Sequence, residues 1–174
     1  MPTNAVLEAI ANRRSIRQYQ QRAVDRDTIL TILRAGMAAP SAGNRQPWEF
    51  VVTTERQTLD RLADTHPFAK MLYQAPLCIS VCANLGRTYE GVPDYWIQDC
   101  SAATENILLA AEALGLGAVW CGVFPRMDRV EQIQRILGLP STVIPLNVVA
   151  VGYGAEDPPV KDKWREERIH WEKW

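Results

Sequence analysis

The stretches RRSIR at residues 13–17 and PSAGNRQPW at residues 40–48 are the most informative part of this chain of 174 residues. In an extended RRSIR segment, Arg13, Ser15 and Arg17 point to the same side, because side chains alternate along extended backbone. One guanidinium and the hydroxyl can bind a phosphate through charge-assisted hydrogen bonds, and the other guanidinium lies within reach of a ring attached to that phosphate. A solvated basic patch at the end of a first helix explains the same spacing. The segment alone leaves both interpretations open.

The second stretch predicts a tight loop between a helix and a strand. Gly43 relieves steric strain in the backbone of this loop. Ser41, Asn44 and Gln46 offer polar groups that can form hydrogen bonds with the polar chain of a ligand. The same residue types are ordinary in helix-to-strand connections. This loop alone therefore indicates no ligand.

Outward from these stretches, hydrophobic periodicity predicts a mixed α and β chain. The predicted helices span residues 4–12, 26–37, 55–65, 67–73, 95–114 and 126–137. The predicted strands span residues 48–54, 77–83, 117–122 and 142–154.

Several of these elements have a predicted place in the fold. The unbroken apolar run at 77–83 suits a strand covered on both faces. The helix at 95–114 is apolar over most of its circumference and belongs in the centre. Asp25 or Thr28 is expected to cap the second helix, and Pro145 predicts a bulge or an edge position in the last strand.

Bulk composition excludes several classes of protein. The net charge is −1 and the hydrophobic content is 47%, so the chain has no overall positive field for nucleic acid or an anionic membrane. No apolar run approaches the roughly 20 residues of a membrane span. The N-terminus lacks the pattern of a secretory signal, and we expect a cytoplasmic protein.

Cysteine and histidine usage indicates no metal site. The four cysteines lie inside apolar stretches without a CxxC pair, and only two histidines are present. GLGAVWCGVF at 115–124 does not match GxGxxG, because its glycines follow a helix and enter a strand. No evident acid, base or nucleophile stands out, which favours chemistry carried by a cofactor.

The tail at 155–174 differs in composition from the rest of the chain. Its last fourteen positions hold nine charged residues, and Trp164, Trp171 and Trp174 are all found there. Exposed indoles are unfavourable in water, so the tail is expected to pack on its own chain or on a second subunit.

Four motifs in order carry a resemblance. RRSIRQY (13–19), APSAGNRQPWEFVV (39–52), EALGLGAVWCGVFP (112–125) and VVAVGYGAEDPPVK (148–161), with the tryptophan-rich end, resemble the nitroreductase family of FMN-dependent enzymes. The resemblance implies an α+β fold, in which helices wrap a central, mostly antiparallel sheet. It also implies one domain over 1–174 and an intertwined homodimer with FMN sites at the interface.

The resemblance also implies roles for residues in the FMN site. Arg13 would hold the phosphate, Ser15 the phosphate or ribityl chain, and Arg17 the pyrimidine edge, while Arg14 would contribute through its main chain. The partner subunit would contribute Pro40, Ser41, Ala42 and Asn44, with Gln46 close by. Cys121 and Gly122 would lie near N5 and O4 of the ring. The basic residues on the phosphate would be Lys161 and Lys163, although Lys163 stands where the family leads us to expect arginine.

The function implied is hydride transfer from NADH or NADPH through FMN to nitroaromatics, quinones or similar flat acceptors, in a ping-pong scheme. No side chain would be catalytic, and Arg17 and Gly122 would assist the flavin. The loop at 84–95 offers Tyr89, Tyr95 and Trp96 as an aromatic lid, or is an ordinary surface loop. The alternatives are a reductive dehalogenase, a flavin-destroying enzyme, and a protein that binds FMN without turnover. The dehalogenase branch is expected to use a lid lysine, and this chain has none between residues 71 and 160.

Overall fold

A four-stranded antiparallel sheet forms the middle of the fold in this computed structural model, which describes residues 4–92 and 94–174. The strands are β1 (Trp48–Thr53), β2 (Leu77–Asn84), β3 (Gly117–Gly122) and β4 (Val143–Gly152). Their order is β1-β2-β4-β3, and all three neighbouring pairs are antiparallel. The predicted antiparallel sheet is confirmed.

Helices cover both faces of this sheet. They are α1 (Ala5–Asn12), α2 (Arg26–Met37), α3 (Arg56–Thr65), α4 (Tyr95–Ala113) and α5 (Met127–Leu137). Helices α2 and α4 share one hydrophobic cluster with the sheet, and α3 and α5 share the other. The α+β class expected from the sequence is therefore confirmed. The helix expected at 67–73 is wrong in extent, because only a 3₁₀ turn forms, at Lys70–Tyr73.

The two clusters follow from the alternation of side chains along the strands. In β2, Leu77, Ile79 and Val81 belong to the cluster under α4, while Cys78 belongs to the cluster under α3. Both faces are buried, as the apolar run predicted. Helix α4 packs against all four strands and α2, so its predicted central place is also confirmed.

Pro145 lies at a bulge in β4. Val81 pairs with Asn147 and the next residue, Cys82, pairs with Pro145, so Leu146 is the extra residue. The last pair between β3 and β4 is Gly122 with Asn147. Pro145 lies beyond that pair, so its missing N–H removes no bond to β3. The predicted bulge is confirmed.

Asp25 caps the N-terminus of α2, as one of the two predicted candidates. Its side chain accepts a hydrogen bond from the backbone N–H of Thr28 at 2.9 Å. This bond satisfies one of the N–H groups that a helix start leaves free.

The RRSIR segment lies along the free edge of β3. Ile16 N–H donates to the carbonyl of Ala118 at 3.1 Å, and Ile16 is buried. A Cβ on Gly117 would lie 2.6 Å from the Cβ of Ile16, so this close approach requires glycine. The Tyr19 hydroxyl donates to the carbonyls of Ile16 at 2.7 Å and Ala150 at 3.2 Å, which holds the segment to the sheet.

The C-terminal tail is exposed along residues 160–174. Its three tryptophans have exposed fractions between 62% and 100%. They gain little burial from their own chain. No helix in the described part of the chain combines the length and apolar character that crossing a bilayer requires.

Candidate functional site

A cavity of about 280 Å³ lies where the RRSIR segment meets the start of the tail. Its polar lining consists of Arg13, Arg14, Ser15, Arg17, Lys161 and Lys163. Proline, valine and alanine complete the lining, and no carboxylate is among the residues that the structure places there. Arg13 also pairs with Glu105 at 3.3 Å and Arg14 with Asp157 at 2.9 Å, so Arg17, Lys161 and Lys163 supply most of the excess positive charge. That excess favours an anion with several oxygens, such as a phosphate.

Contacts between the segment and the tail hold this cavity in shape. Glu156 Oε1 accepts hydrogen bonds from the backbone N–H groups of Arg17 at 2.6 Å and Gln18 at 3.2 Å. Arg14 Nη1 donates to the carbonyl of Pro158 and pairs with Asp157, both at 2.9 Å. The Arg14 side chain is thus engaged by the tail through Nη1, while its buried Nε has no hydrogen-bond partner among the described residues.

A second cavity, of about 560 Å³, lies beside the first. Its lining is Arg17, His66, Pro67, Phe68, Lys70, Met71, Val119, Trp120, Cys121, Gly122 and Arg129. Arg17 lines both cavities, so they meet at its side chain. The arrangement suits one molecule with a compact anionic end and a larger, partly apolar end.

Gly122 lies in this second cavity at the end of β3. A Cβ built on it would meet no atom within 4 Å, and its φ is outside the left-handed region. The described chain therefore gives no steric or conformational reason for glycine here. A ligand approaching the backbone closely is a reason of the kind that glycine often serves.

His66 contacts the same residue from the protein interior. Its Nε2 lies 2.6 Å from the carbonyl oxygen of Gly122, and its Nδ1 accepts from the backbone N–H of Phe68 at 3.1 Å. The side chain is buried, and burial lowers the pKa of His66 below its usual 6.5; the charge of Arg129 lowers it further. A neutral imidazole with the proton on Nε2 satisfies both contacts.

Cys121 is a buried thiol and not a nucleophile. Burial raises its pKa to about 11, and its Sγ donates to the carbonyl of Phe68 at 3.3 Å. The thiol therefore stays protonated near neutral pH.

The loop at 40–46 is internally braced and lines neither cavity. Ser41 Oγ accepts from the N–H of Gln46 at 3.0 Å, and Asn44 Oδ1 accepts from Gln46 Nε2 at 3.0 Å. Asp99 Oδ1 anchors the loop by accepting from the N–H of Ala42 at 2.9 Å. One chain therefore does not bring Pro40, Ser41, Ala42, Asn44 and Gln46 to Arg13 and Arg17.

The predicted lid lies against this loop. Tyr89 occupies the space beside Gly43, where a Cβ would come within 2.8 Å of its ring. Tyr89 and Tyr95 form an edge-to-face pair with centroids 6.0 Å apart, and Arg45 pairs with Glu90 at 2.9 Å.

Trp96 does not belong to the exposed lid surface. It is 4% exposed and packs edge-to-face on Phe124, with ring centroids 4.9 Å apart. Its place on the inward face of α4 puts it in the core.

Among the residues of the larger cavity that sequence analysis missed are His66, Lys70, Met71 and Arg129. They come from the end of α3, the 3₁₀ turn and α5. None stands in a motif, so no local signal distinguishes them. Lys70 Nζ donates to the carbonyl of Ala63 at 3.0 Å, which holds its charge at the cavity.

Comparison with known proteins gives consistent matches. A sequence model described as "Nitroreductase family" matches residues 10–66 and 65–153. A Methanothermobacter thermautotrophicus protein named "Putative NADH dehydrogenase/NAD(P)H nitroreductase" is 49% identical over 169 residues, or 97% of this chain and 87% of its own length.

Two solved structures extend these matches. A Bacteroides thetaiotaomicron structure with the same name has 44% identity and a TM-score of 0.94, over 99% of both chains. A Desulfovibrio desulfuricans structure, titled as a "putative nitroreductase in complex with fmn", has 33% identity and a TM-score of 0.84, over 99% of both chains.

Proposed function

This chain belongs to the nitroreductase family, and from that premise we propose that it is an FMN-dependent oxidoreductase. It takes hydride from NADH or NADPH and reduces flat acceptors such as nitroaromatics and quinones. The observation that carries the proposal is the pair of cavities that meet at Arg17, one cationic and small, the other larger and partly apolar.

The smaller cavity fits the phosphate of FMN. Arg13, Lys161 and Lys163 supply charge, and Ser15 supplies a hydroxyl that can donate to a phosphate oxygen. Arg14 contributes its main chain, because its side chain is held by Asp157 and Pro158.

The larger cavity fits the flavin ring. The apolar and aromatic groups of Phe68, Met71 and Val119 can cover a flat ring, while the open space at Gly122 allows it to approach the backbone. In this placement Cys121 and Gly122 would lie near N5 and O4, and Arg17 would lie at the pyrimidine edge. The chain's residues are therefore compatible with the cofactor.

Bound FMN supplies the redox chemistry, because it accepts a hydride from the nicotinamide and passes two electrons to an acceptor that takes protons from solvent. Arg17 places a positive charge where reduced flavin is negative, at N1 and O2. Gly122 orients the N5 edge through its backbone. Donor and acceptor use the same place in turn, so the kinetics are ping-pong and no acidic side chain is needed.

A second copy of the chain completes the site in this proposal. The loop at 40–46, which lines neither cavity of its own chain, would reach the flavin of the partner. One oxygen of the buried Asp99, beside this loop, has no hydrogen-bond partner among the described residues. Exposed apolar groups on α1 and three tail tryptophans are further surface for a homodimer to bury.

The proposal also includes a single domain over 1–174 and a cytoplasmic location, where NADH and NADPH are available. A dehalogenase activity is not proposed, because Glu90 is paired with Arg45 and the lid has no lysine.

Anaerobic mixing of the FMN-loaded protein with NADH or NADPH tests the proposal. Loss of the yellow colour in seconds, followed by its return when a nitroaromatic or quinone is added, is the expected result. Persistent colour would show a protein that binds FMN without turnover. Failure of the flavin-free protein to take up FMN, together with a monomeric sedimentation profile, would refute the proposal altogether.

A further inference from the structure

Two side chains from different helices converge on the carbonyl of Gly122. We infer that His66, supported by Arg129, is a positioning residue that holds the Gly122 peptide in one orientation and thereby sets the balance between oxidised and reduced flavin. This inference rests on the proposed function. It concerns residues that take no part in the phosphate cavity.

The hydrogen-bond pattern defines the proton position on His66. Nδ1 accepts from the N–H of Phe68 at 3.1 Å, so the ring proton is on Nε2, which donates to the Gly122 carbonyl at 2.6 Å. The side chain is only 2% exposed, although it lines the larger cavity.

Arg129 adds a second donor to the same oxygen. Its Nη1 is 3.4 Å from both the Gly122 oxygen and His66 Nε2. A guanidinium has only donors, so it cannot bond to a protonated Nε2 and donates to the carbonyl instead. The Gly122 carbonyl is therefore held by a short neutral hydrogen bond and a longer charged one.

The sheet does not hold this carbonyl. The Ala118 carbonyl is taken by Ile16, on the side of β3 away from β4. Backbone groups alternate sides along an antiparallel strand, so those of Gly122 also point off this free edge. Gly122 has no Cβ, and no described atom lies within 4 Å of the place where one would be, so side-chain packing does not fix its carbonyl. The same peptide is tied to β4 at its other end, where Val123 N–H donates to the Leu146 carbonyl at 2.9 Å. His66 and Arg129 supply the constraint on the carbonyl end.

The orientation matters because flavin N5 changes its role on reduction. Oxidised N5 accepts a hydrogen bond, whereas reduced N5–H donates one. A Gly122 carbonyl turned into the cavity would accept from N5–H and stabilise the reduced form. While His66 holds that carbonyl, the stabilisation is withheld, so loss of the His66 donor should raise the midpoint potential.

Two substitutions of similar size separate the donor from mere packing. In His66→Gln the side-chain amide nitrogen can occupy the position of Nε2 and keep the donor to Gly122. In His66→Asn the shorter side chain can keep an acceptor for Phe68 N–H but does not reach the carbonyl. Arg129→Met removes the second donor while keeping an apolar stem.

The measurement is the midpoint potential of bound FMN, with the dissociation constant for oxidised FMN taken in parallel. We expect His66→Asn to change the ratio of oxidised to reduced dissociation constants about tenfold, an upward shift of about 30 mV for a two-electron couple. His66→Gln should stay within about twofold of wild type. Arg129→Met should shift the potential in the same direction by less.

The outcomes distinguish this inference from the proposed function. If wild-type protein binds no FMN, the proposed function fails and the inference fails with it. If wild-type protein binds FMN and both His66 variants shift the potential alike or not at all, only the inference is refuted. If His66→Asn does not fold, Arg129→Met decides, and an unchanged potential in that variant refutes the inference.

Discussion

Two glycines on the same strand should respond in opposite ways to the same substitution. Gly117→Ala places a methyl 2.6–2.8 Å from three atoms of Ile16, well inside the ordinary contact distance of about 3.5–4.0 Å. Overpacking of this kind costs about 1–3 kcal/mol of the free energy of unfolding. Gly122→Ala meets nothing within 4 Å, so its effect on that free energy should be within about 0.5 kcal/mol or slightly stabilising.

FMN binding should show a different pattern. The methyl of Gly122→Ala occupies the space that the flavin ring needs, so oxidised FMN should bind about tenfold more weakly or worse, since tenfold corresponds to about 1.4 kcal/mol. Urea unfolding of the flavin-free proteins gives the stabilities, and quenching of FMN fluorescence gives the dissociation constants. Wild-type affinity in Gly122→Ala would refute the placement of the ring at Gly122. A loss of stability equal to that of Gly117→Ala would refute the packing argument.

The remaining predictions concern charge, pH and helix capping. Arg17→Ala should retain some FMN but lower the midpoint potential of the flavin, because the positive charge facing reduced flavin is lost. Flavin reduction should slow about 10²-fold in anaerobic stopped-flow experiments. Unchanged reduction kinetics would contradict this role. The double substitution Lys161→Ala and Lys163→Ala should weaken FMN binding about 10–100-fold. Riboflavin binding should be unchanged, since riboflavin has no phosphate. Equal losses of affinity in titrations of both ligands would argue against a phosphate site. Burial lowers the pKa of His66, so His66 takes up a proton in the unfolded state before the folded state as pH falls below about 6.5. The free energy of unfolding should therefore decrease as pH falls through this range, by at most about 1.4 kcal/mol per pH unit from this group. Urea titrations at several pH values measure this dependence, and His66→Gln should flatten it. Asp25→Ala should cost about 1 kcal/mol in the same unfolding assay by removing the cap of α2, with FMN affinity unchanged as its control.

Local signals were sufficient for most of the secondary structure. The apolar run of β2, the capping carboxylate of Asp25 and the bulge at Pro145 each depend on neighbouring residues, and each was predicted from them. The 3₁₀ turn at Lys70–Tyr73 was predicted as a longer helix, because four apolar or helix-favouring residues do not reveal where a turn ends.

Packing decided which face of a helix reaches solvent at the lid. Tyr95 and Trp96 are adjacent in sequence and equally aromatic, yet Tyr95 lies at the surface and Trp96 in the core. Successive residues of a helix point about 100° apart, so the orientation of α4 on the sheet determines which of the two side chains is buried. The amino-acid sequence of this segment does not specify that orientation.

The sequence by itself determined the elements and the cationic face of RRSIR, because strand and helix periodicity and caps are properties of short segments, while the antiparallel α+β class came from the resemblance of four motifs to a known family. Only the tertiary structure brought His66 and Arg129 to the carbonyl of Gly122. It also placed Arg13 and Arg17 beside Lys161 and Lys163, a grouping that the resemblance had implied for Arg13 and the two lysines. His66 lies 56 residues before Gly122, and Arg129 reaches the same carbonyl from α5, so their distances depend on how the sheet and its two helix layers pack. Residue spacing predicts the side of a strand or helix on which a side chain lies, but the tertiary fold determines which residues that side chain contacts.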